Sequence, residues 1–102
     1  MIEVRRTAEF ADWFRNLQDL RAAARIAVRI ARAEAGNLGD VKYFDGIGEM
    51  RISYGPGYRV YFALAGKHLV LLLVGGDKRT QQSDIAAALA HWHDWQQRRK
   101  TP

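Results

Sequence analysis

The sequence predicts an α+β domain in which a mainly antiparallel sheet of four to five strands carries an N-terminal helical hairpin and a C-terminal helix. Three observations lead to this fold class. Residues 8–35 repeat apolar side chains at helical spacing, residues 41–76 alternate apolar and polar side chains between glycine turns, and residues 80–97 return to helical spacing. The order of elements is therefore strand, two helices, a strand meander and a last helix.

The composition is that of one globular domain covering residues 1–102, with 48% hydrophobic and 26% charged residues. Sixteen Lys and Arg against eleven Asp and Glu give a net charge of +5, which attracts polyanions such as RNA, DNA or anionic lipid. The chain has no cysteine, so the reducing cytoplasm is the simplest compartment. The longest aliphatic run, Leu69 to Val74, is too short to span a bilayer, and no signal peptide is apparent.

The first strand and helix follow from residues 2–20. Residues 2–6 alternate apolar and polar side chains, which predicts a short edge strand with one buried face. Thr7 is a candidate N-cap for a helix over residues 8–20. Its apolar side chains recur every three or four residues and predict one buried stripe, made of Phe10, Trp13, Phe14, Leu17 and Leu20.

A second, Ala-rich helix begins at about Leu20 and ends at Gly36 and Asn37. We expect its apolar residues to pack, and these are Leu20, Ala24, Ile26, Ala27, Ile30 and Ala31. Another face carries an arginine row, made of Arg21, Arg25, Arg29 and Arg32. Two interpretations of this row are open: it tracks phosphates or docks an acidic partner, or it is the ordinary solvated face of an amphipathic helix.

The alternation of residues in the meander predicts that its cationic side chains lie together on one face of the sheet. A strand at 41–44 and an Asp45-Gly46 turn lead into a hairpin that reverses at residues 55–57. If Tyr54 pairs with Tyr58, then Ser53 lies opposite Arg59 and Arg51 lies opposite Tyr61. Arg51, Arg59 and Tyr61 then share one face of the hairpin. The opposite, core face is predicted to hold Met50, Ile52, Tyr54, Tyr58, Val60, Phe62 and Leu64.

The last strand and helix complete the prediction. A turn at Gly66 and Lys67 pairs Ala65 with His68 and places Val74 opposite Arg59, so that Lys78 reaches the same site. The run 69–74 predicts a central strand buried on both faces. A helix is expected over 80–97 with Thr80 or Ser83 as its N-cap, followed by a flexible basic tail at 97–102.

The chemistry that this pattern favours is charge stabilisation at a phosphodiester. His91 and His93 point about 200° apart on a helix, so they do not form one metal-ligand face. No nucleophile triad, phosphate-binding Gly-rich loop or carboxylate pair is apparent. Cations on one face, Arg51 and Arg59 with Lys78 nearby, can stabilise a phosphodiester transition state. The alternative is that they merely solvate an open sheet face.

Two segments carry a family pattern, Gly-Ile-Gly-Glu-Met-Arg-Ile-Ser-Tyr-Gly-Pro-Gly-Tyr-Arg-Val-Tyr-Phe at 46–62 and Gly-Gly-Asp-Lys-Arg-Thr-Gln at 75–81. With the order of elements, the chain resembles the RelE/HigB superfamily of type II toxins over nearly its whole length, in particular the short addiction module killer protein branch. The resemblance implies a RelE-like fold and a ribosome-dependent endoribonuclease, an mRNA interferase. Such an enzyme cuts mRNA in the ribosomal A site through the substrate 2′-hydroxyl, with no metal or other cofactor.

The resemblance also implies which residues act. Carried over to this sequence, the basic residues that hold the scissile phosphate are Arg51, Arg59 and Lys78, with Arg79 beside Lys78. We also expect Tyr61 among the catalytic residues, and Arg79, Lys42 and Tyr54 as further RNA-binding residues. The chain departs from RelE in having Glu49 where a second strand lysine is expected, and Asp84 or Ile85 where a helix tyrosine is expected. The general base is therefore open, with Tyr61, Glu49 and Asp77 as candidates.

The implied partner is a helix-turn-helix antitoxin that forms a hetero-oligomer with this chain in the cytoplasm. Two other functions fit the same residues. In the first, the chain is a non-catalytic module that binds nucleic acid through the cationic face. In the second, it is a subunit that docks an acidic partner through the arginine row of the second helix.

Overall fold

The computed structural model describes residues 2–100, and its secondary structure follows the predicted order of elements. The strands and helices are β1 Glu3–Arg6, α1 Ala8–Arg15, α2 Leu20–Glu34, β2 Val41–Phe44, β3 Ile47–Ile52, β4 Tyr58–Ala65, β5 Leu69–Asp77, a 3₁₀ turn Lys78–Thr80 and α3 Gln81–Lys100. No helix in residues 2–100 has the length and apolar character needed to cross a membrane.

The sheet is mixed, with the strands in the order β1-β5-β4-β3-β2. β2, β3, β4 and β5 form an antiparallel meander, whereas the edge strand β1 runs parallel to β5. The α+β class is confirmed, but the sheet is not antiparallel throughout. The hairpin of α1 and α2 separates β1 from the meander along the chain, and so long a connection permits a parallel pairing that a tight turn does not.

Two apolar cores lie on the two faces of this sheet. On one face α1 and α2 pack on the even-numbered side chains of β3 and β4, in a cluster that includes Phe10, Ile26, Met50, Val60 and Phe62. On the other face α3 packs on a second cluster that includes Ile47, Tyr61, Ala63, Leu73 and Ala88. The prediction that residues 69–74 form a strand buried on both faces is confirmed for 70–74.

The first helix is shorter than predicted. Thr7 is its N-cap as expected, since the Thr7 hydroxyl accepts a hydrogen bond from the Phe10 N–H at 3.0 Å. The helix ends at Arg15 rather than at residue 20, with Asn16 as its C-cap. Asp19 then starts α2 because its carboxylate accepts hydrogen bonds from the N–H groups of Arg21 and Ala22.

The buried stripe of α2 is narrower than predicted. Ile26 and Ile30 are buried as expected, together with Ala22 and Ala33. Leu20, which is 79% exposed, and Ala24, Ala27 and Ala31 lie on the solvent side, so their predicted packing is wrong. In an Ala-rich helix several stripes have similar hydrophobicity, and the two isoleucines decide which one faces the sheet.

The hairpin register differs from the predicted one by two positions. Arg51 lies opposite Arg59, Glu49 lies opposite Tyr61, and the reversal occupies residues 53–57. Because side chains alternate with period two, a shift of two keeps every side chain on its predicted face.

The pairing of β4 with β5 is also displaced. Ala65 lies opposite Leu69, and a bulge at Leu73 brings Gly76 rather than Val74 opposite Arg59. Leu64 was assigned to the core face but is 46% exposed beside Tyr43, outside both cores.

The last helix is longer than predicted. Residues 97–100 were assigned to a flexible tail, yet α3 extends to Lys100. The Arg98 guanidinium pairs with Asp94 one turn earlier at 3.1 Å, and Arg99 lies over the Trp95 ring at 5.1 Å. These contacts favour continuation of the helix. Thr101 and Pro102 lie outside the described residues.

Candidate functional site

A groove of about 540 Å³ lies at one end of the sheet, where β3, β4 and β5 meet the loop 53–57. Arg51, Arg59 and Lys78 line it, so the structure brings together the three cations that the sequence placed there. Arg51 and Arg59 are cross-strand partners on one face, and Lys78 is the first residue after β5. The groove therefore receives cations from β3, from β4 and from the turn that follows β5.

The 3₁₀ turn after β5 gives its two basic residues different surroundings. The Asp77 carboxylate caps the turn by accepting a hydrogen bond from the Arg79 N–H at 2.8 Å. It also accepts one from the Arg79 guanidinium at 2.9 Å, so Arg79 is engaged with Asp77 outside the groove. Lys78, between them, remains exposed and lines the groove.

Arg59 is held from behind by a buried carboxylate. Its Nε lies 3.2 Å from Glu49 Oε2, and the Glu49 side chain is 4% exposed. The N–H is not aligned with that oxygen for a hydrogen bond, so the contact is an ionic one. Arg59 Nη1 donates to the Gly57 carbonyl at 3.0 Å, and Gln81 Nε2 donates to Glu49 Oε1 at 3.2 Å. The first turn of α3 thus fixes Glu49, and Glu49 fixes Arg59.

Arg51 has an acidic neighbour that the sequence analysis missed. Its Nη2 donates to Asp40 Oδ1 at 2.9 Å, and this hydrogen bond, with the charge of Asp40, raises the pKa of the Arg51 guanidinium. Of the described residues that line the groove, Asp40 is the one that carries a carboxylate. The sequence did contain a signal for this contact. The tight turn at Asp45 and Gly46 sets the pairing of β2 with β3, and that pairing places Asp40 beside Arg51.

The three candidate bases have no free access to the groove. The Tyr61 ring is fully buried between the sheet and α3, and burial, assisted by the Glu49 charge, raises the pKa of its phenol. Glu49 is buried against Arg59. Hydrogen bonding from Arg79 lowers the pKa of Asp77, which makes it a weaker proton acceptor. The catalytic role expected of Tyr61 would need its hydroxyl to reach a substrate, and in this structure the hydroxyl is buried.

The residues expected to add RNA contacts lie around the groove rather than in it. Lys42 is exposed on the edge strand, opposite Glu49. Tyr54 lies beneath the Arg25 guanidinium at 4.6 Å. Arg79 faces Asp77, as described above. None of the three is among the described residues that line the groove.

Two adjacent glycines let helices approach both faces of β5 beside the site. A Cβ atom on Gly75 would overlap the Trp13 ring of α1, and one on Gly76 would overlap the Asp84 carboxylate of α3. Glycines at positions 75 and 76 are therefore explained by the close approach of α1 to one face of β5 and of α3 to the other. In residues 2–100 no group of three or more His, Cys, Asp or Glu side chains is placed to hold a metal ion.

The fold and the site define a basic α+β protein with a cationic groove at the end of a mixed sheet. A Haemophilus influenzae protein described as uncharacterized is 49% identical over 88 residues, which is 85% of this chain and 89% of the relative. This chain belongs to the same family as that protein. No protein-family model matches the chain, and no solved structure matches it.

Proposed function

We propose that this protein is a RelE/HigB-type toxin, a ribosome-dependent endoribonuclease that cuts mRNA without a metal ion. The convergence of Arg51, Arg59 and Lys78 in one groove is the observation that carries the proposal. The resemblance of residues 46–62 and 75–81, which contain these three cations, to that superfamily also supports it. The described residues that line the groove carry three cations and a single carboxylate. Such a lining suits a phosphodiester, whose negative charge increases in the transition state.

In the proposed reaction the 2′-oxygen of one nucleotide attacks the adjacent phosphorus. The new bond joins that oxygen to phosphorus and the bond to the 5′-oxygen breaks, which leaves a 2′,3′-cyclic phosphate and a 5′-hydroxyl. A proton leaves the 2′-hydroxyl and another reaches the 5′-oxygen. Arginines keep their protons at neutral pH, so they serve as charge stabilisers for the phosphate.

Proton transfer falls to Asp40 and Lys78 in this proposal. Both line the groove, and both exchange protons far more readily than the guanidinium groups beside them. Asp40 accepts the proton of the 2′-hydroxyl, and the Lys78 ammonium supplies one to the leaving oxygen. The Asp40 backbone is held in place, since its carbonyl accepts hydrogen bonds from Arg51 N and Arg29 Nη2, each at 3.1 Å.

Cleavage of ribosome-bound mRNA by wild type and two groove variants tests the proposal. Lys78→Ala and Asp40→Asn are each expected to lower the cleavage rate by about 100-fold or more. The matched control is Lys67→Ala, which removes the same charge from the β4–β5 turn at the other end of the sheet. Tyr61→Phe should retain nearly full cleavage because its hydroxyl is buried. Unchanged cutting by both groove variants would refute the site assignment.

The proposal includes a partner and a compartment. A cytoplasmic toxin of this kind is paired with a small helix-turn-helix antitoxin in a hetero-oligomer. An open reading frame for such a protein beside this gene, whose co-expression restores growth, would support the toxin assignment. Growth that is unaffected by induction of this chain alone would count against it.

A non-catalytic nucleic-acid-binding module is the second candidate function. The observation that favours it is that Tyr61 and Glu49 are buried and both oxygens of Asp77 accept hydrogen bonds from Arg79. Among the described groove residues this leaves Asp40 as a base, and Asp40 is itself paired with Arg51. This function predicts salt-sensitive RNA binding that Lys78→Ala weakens, with no cleavage by wild type under any condition.

A further inference from the structure

A second groove, of about 620 Å³, lies beside the first, between α2 and the end of β3. The two grooves share Asp40, Arg51, Ile52 and Ser53 as lining residues, so they meet at these residues. The far side of the second groove is the arginine row of α2, with Arg21, Arg25, Arg29 and Arg32. A polyanion that leaves the first groove past Arg51 therefore meets this row.

The four arginines of the row are not equivalent. Arg29 is a structural residue, because its guanidinium donates to the Arg51 carbonyl at 2.6 Å and to the Leu38 carbonyl at 3.0 Å. Burial lowers the pKa of Arg29, as expected for a half-buried cation. Arg25 lies over the Tyr54 ring. Arg21 and Arg32 are exposed, and neither has an ion-pair partner within residues 2–100.

The length of the row matches a short single strand. Arg21 and Arg32 are separated by about 16 Å along a helix that rises about 1.5 Å per residue. A stacked strand carries one phosphate per about 3.4 Å, so about five phosphates pass the row. The pair of Arg25 and Tyr54 adds a flat surface on which a base can stack.

We propose that the second groove binds the single-stranded RNA that flanks the cleavage position, with Arg21 and Arg32 contacting its phosphates. This inference rests on the proposed function of the first groove and names the path of its substrate. The position of the second groove beside the first, with four shared lining residues, favours an RNA strand over an acidic protein segment. The lining carboxylate that would repel RNA, Asp40, is neutralised by Arg51 at 2.9 Å.

The test measures binding of RNA oligonucleotides whose 2′-hydroxyls are all methylated, so that no nucleophile is present and no cleavage occurs. A trinucleotide should occupy the first groove alone, and a ten-residue strand should reach the arginine row. Fluorescence anisotropy over a range of salt concentrations gives the Kd and its salt slope for wild type and for Arg21→Gln/Arg32→Gln.

Loss of two phosphate contacts should lower the salt slope of the ten-residue strand by about 1.4, at about 0.7 per contact for a single strand. With equal binding at 1 M salt, that slope change weakens binding by about 25-fold at 0.1 M salt. The trinucleotide should bind the variant nearly as well as wild type. Arg5→Gln/Arg98→Gln is the matched control, because it removes the same charge from exposed positions on β1 and α3.

Equal slope changes in both double variants would overturn the inference, since they would show general attraction to a basic protein. An unchanged slope in Arg21→Gln/Arg32→Gln would also overturn it, and loss of an acidic protein partner in that variant would then assign the row to protein docking. Ribosome-bound cleavage that depends on Lys78 would keep the proposed function in either case. Absence of cleavage by wild type would reject the function instead.

Discussion

The two faces of the sheet arise from the same alternation of side chains but differ in how much of each face is covered by helices. The face beneath α1 and α2 is closed by apolar residues such as Met50, Val60 and Phe62. The face beneath α3 is divided: Tyr61 is completely buried in the second core, whereas Arg59, two residues earlier on the same strand, lines the groove. A site arises here because the covering helix reaches only part of the face.

The boundary between core and site is a single buried carboxylate. Glu49 lies opposite Tyr61, accepts a hydrogen bond from Gln81 at the start of α3, and pairs with Arg59. Burying a charge is costly unless it is paired, so Glu49 and Arg59 stabilise each other only as a unit. The divided face thus depends on one ion pair, whereas the closed face depends on apolar contact alone.

The largest expected effect comes from breaking that ion pair. Arg59→Met should lower the free energy of unfolding by about 3 kcal/mol, because it leaves a buried carboxylate without its cation. Glu49→Gln/Arg59→Met should recover most of the loss, since both charges are then gone. Chemical denaturation of the two single variants and the double variant measures the coupling. Additive effects of the two substitutions would mean that Glu49 and Arg59 do not act as a pair.

Substitutions of the two adjacent glycines on β5 allow a direct comparison of the two faces, because each glycine is packed by a helix on a different face. Gly75→Ala forces a methyl group against the rigid Trp13 ring on the closed face, and should cost about 2 kcal/mol of stability. Gly76→Ala meets the Asp84 carboxylate and the Thr80 hydroxyl, which can rotate away, so about 1 kcal/mol is expected. In thermal unfolding, Gly75→Ala should therefore have a lower Tm than Gly76→Ala. The opposite ranking would mean that the α3 face is the less adaptable one.

The smallest effect concerns the turn that positions Lys78. The pKa of Asp77 is lowered in the folded protein, so its contribution is present above the ordinary value of 3.8 and is lost as pH falls through the lowered value. Asp77→Asn should cost about 0.5 kcal/mol at neutral pH, because asparagine keeps the cap but loses the charged contact with Arg79. Denaturation between about pH 6 and pH 2 should show the difference from wild type shrinking with acid. A constant difference would rule out this carboxylate as its source.

Much of the fold follows from local patterns. The strand 41–44, the Thr7 cap and the core face of β3 and, apart from Leu64, of β4 were predicted correctly. Alternation and capping depend on neighbours in sequence. The hairpin register was wrong by two positions without moving any side chain to the other face. The buried stripe of α2 was misassigned because alanine alone does not distinguish one helix face from another.

The candidate site was predictable only in part. Arg51, Arg59 and Lys78 could be grouped from strand parity and the position of the β5 exit. The burial of Tyr61 and Glu49 depends on where α3 lies over the sheet, and the spacing of residues along a strand carries no information about that. The partnership of Asp40 with Arg51 needed the β2–β3 pairing to be extended one residue beyond the strand.

The sequence by itself determined the order of elements, the division of each strand into two faces and the gathering of cations on one of them. These are consequences of periodicity and of short turns, which act over a few residues. Only the tertiary structure decided that Glu49 supports Arg59, that Asp40 enters the groove and that a second groove along α2 lies beside it. Each of these depends on the register of a hairpin or on how a helix packs on the sheet, and periodicity within one segment sets neither.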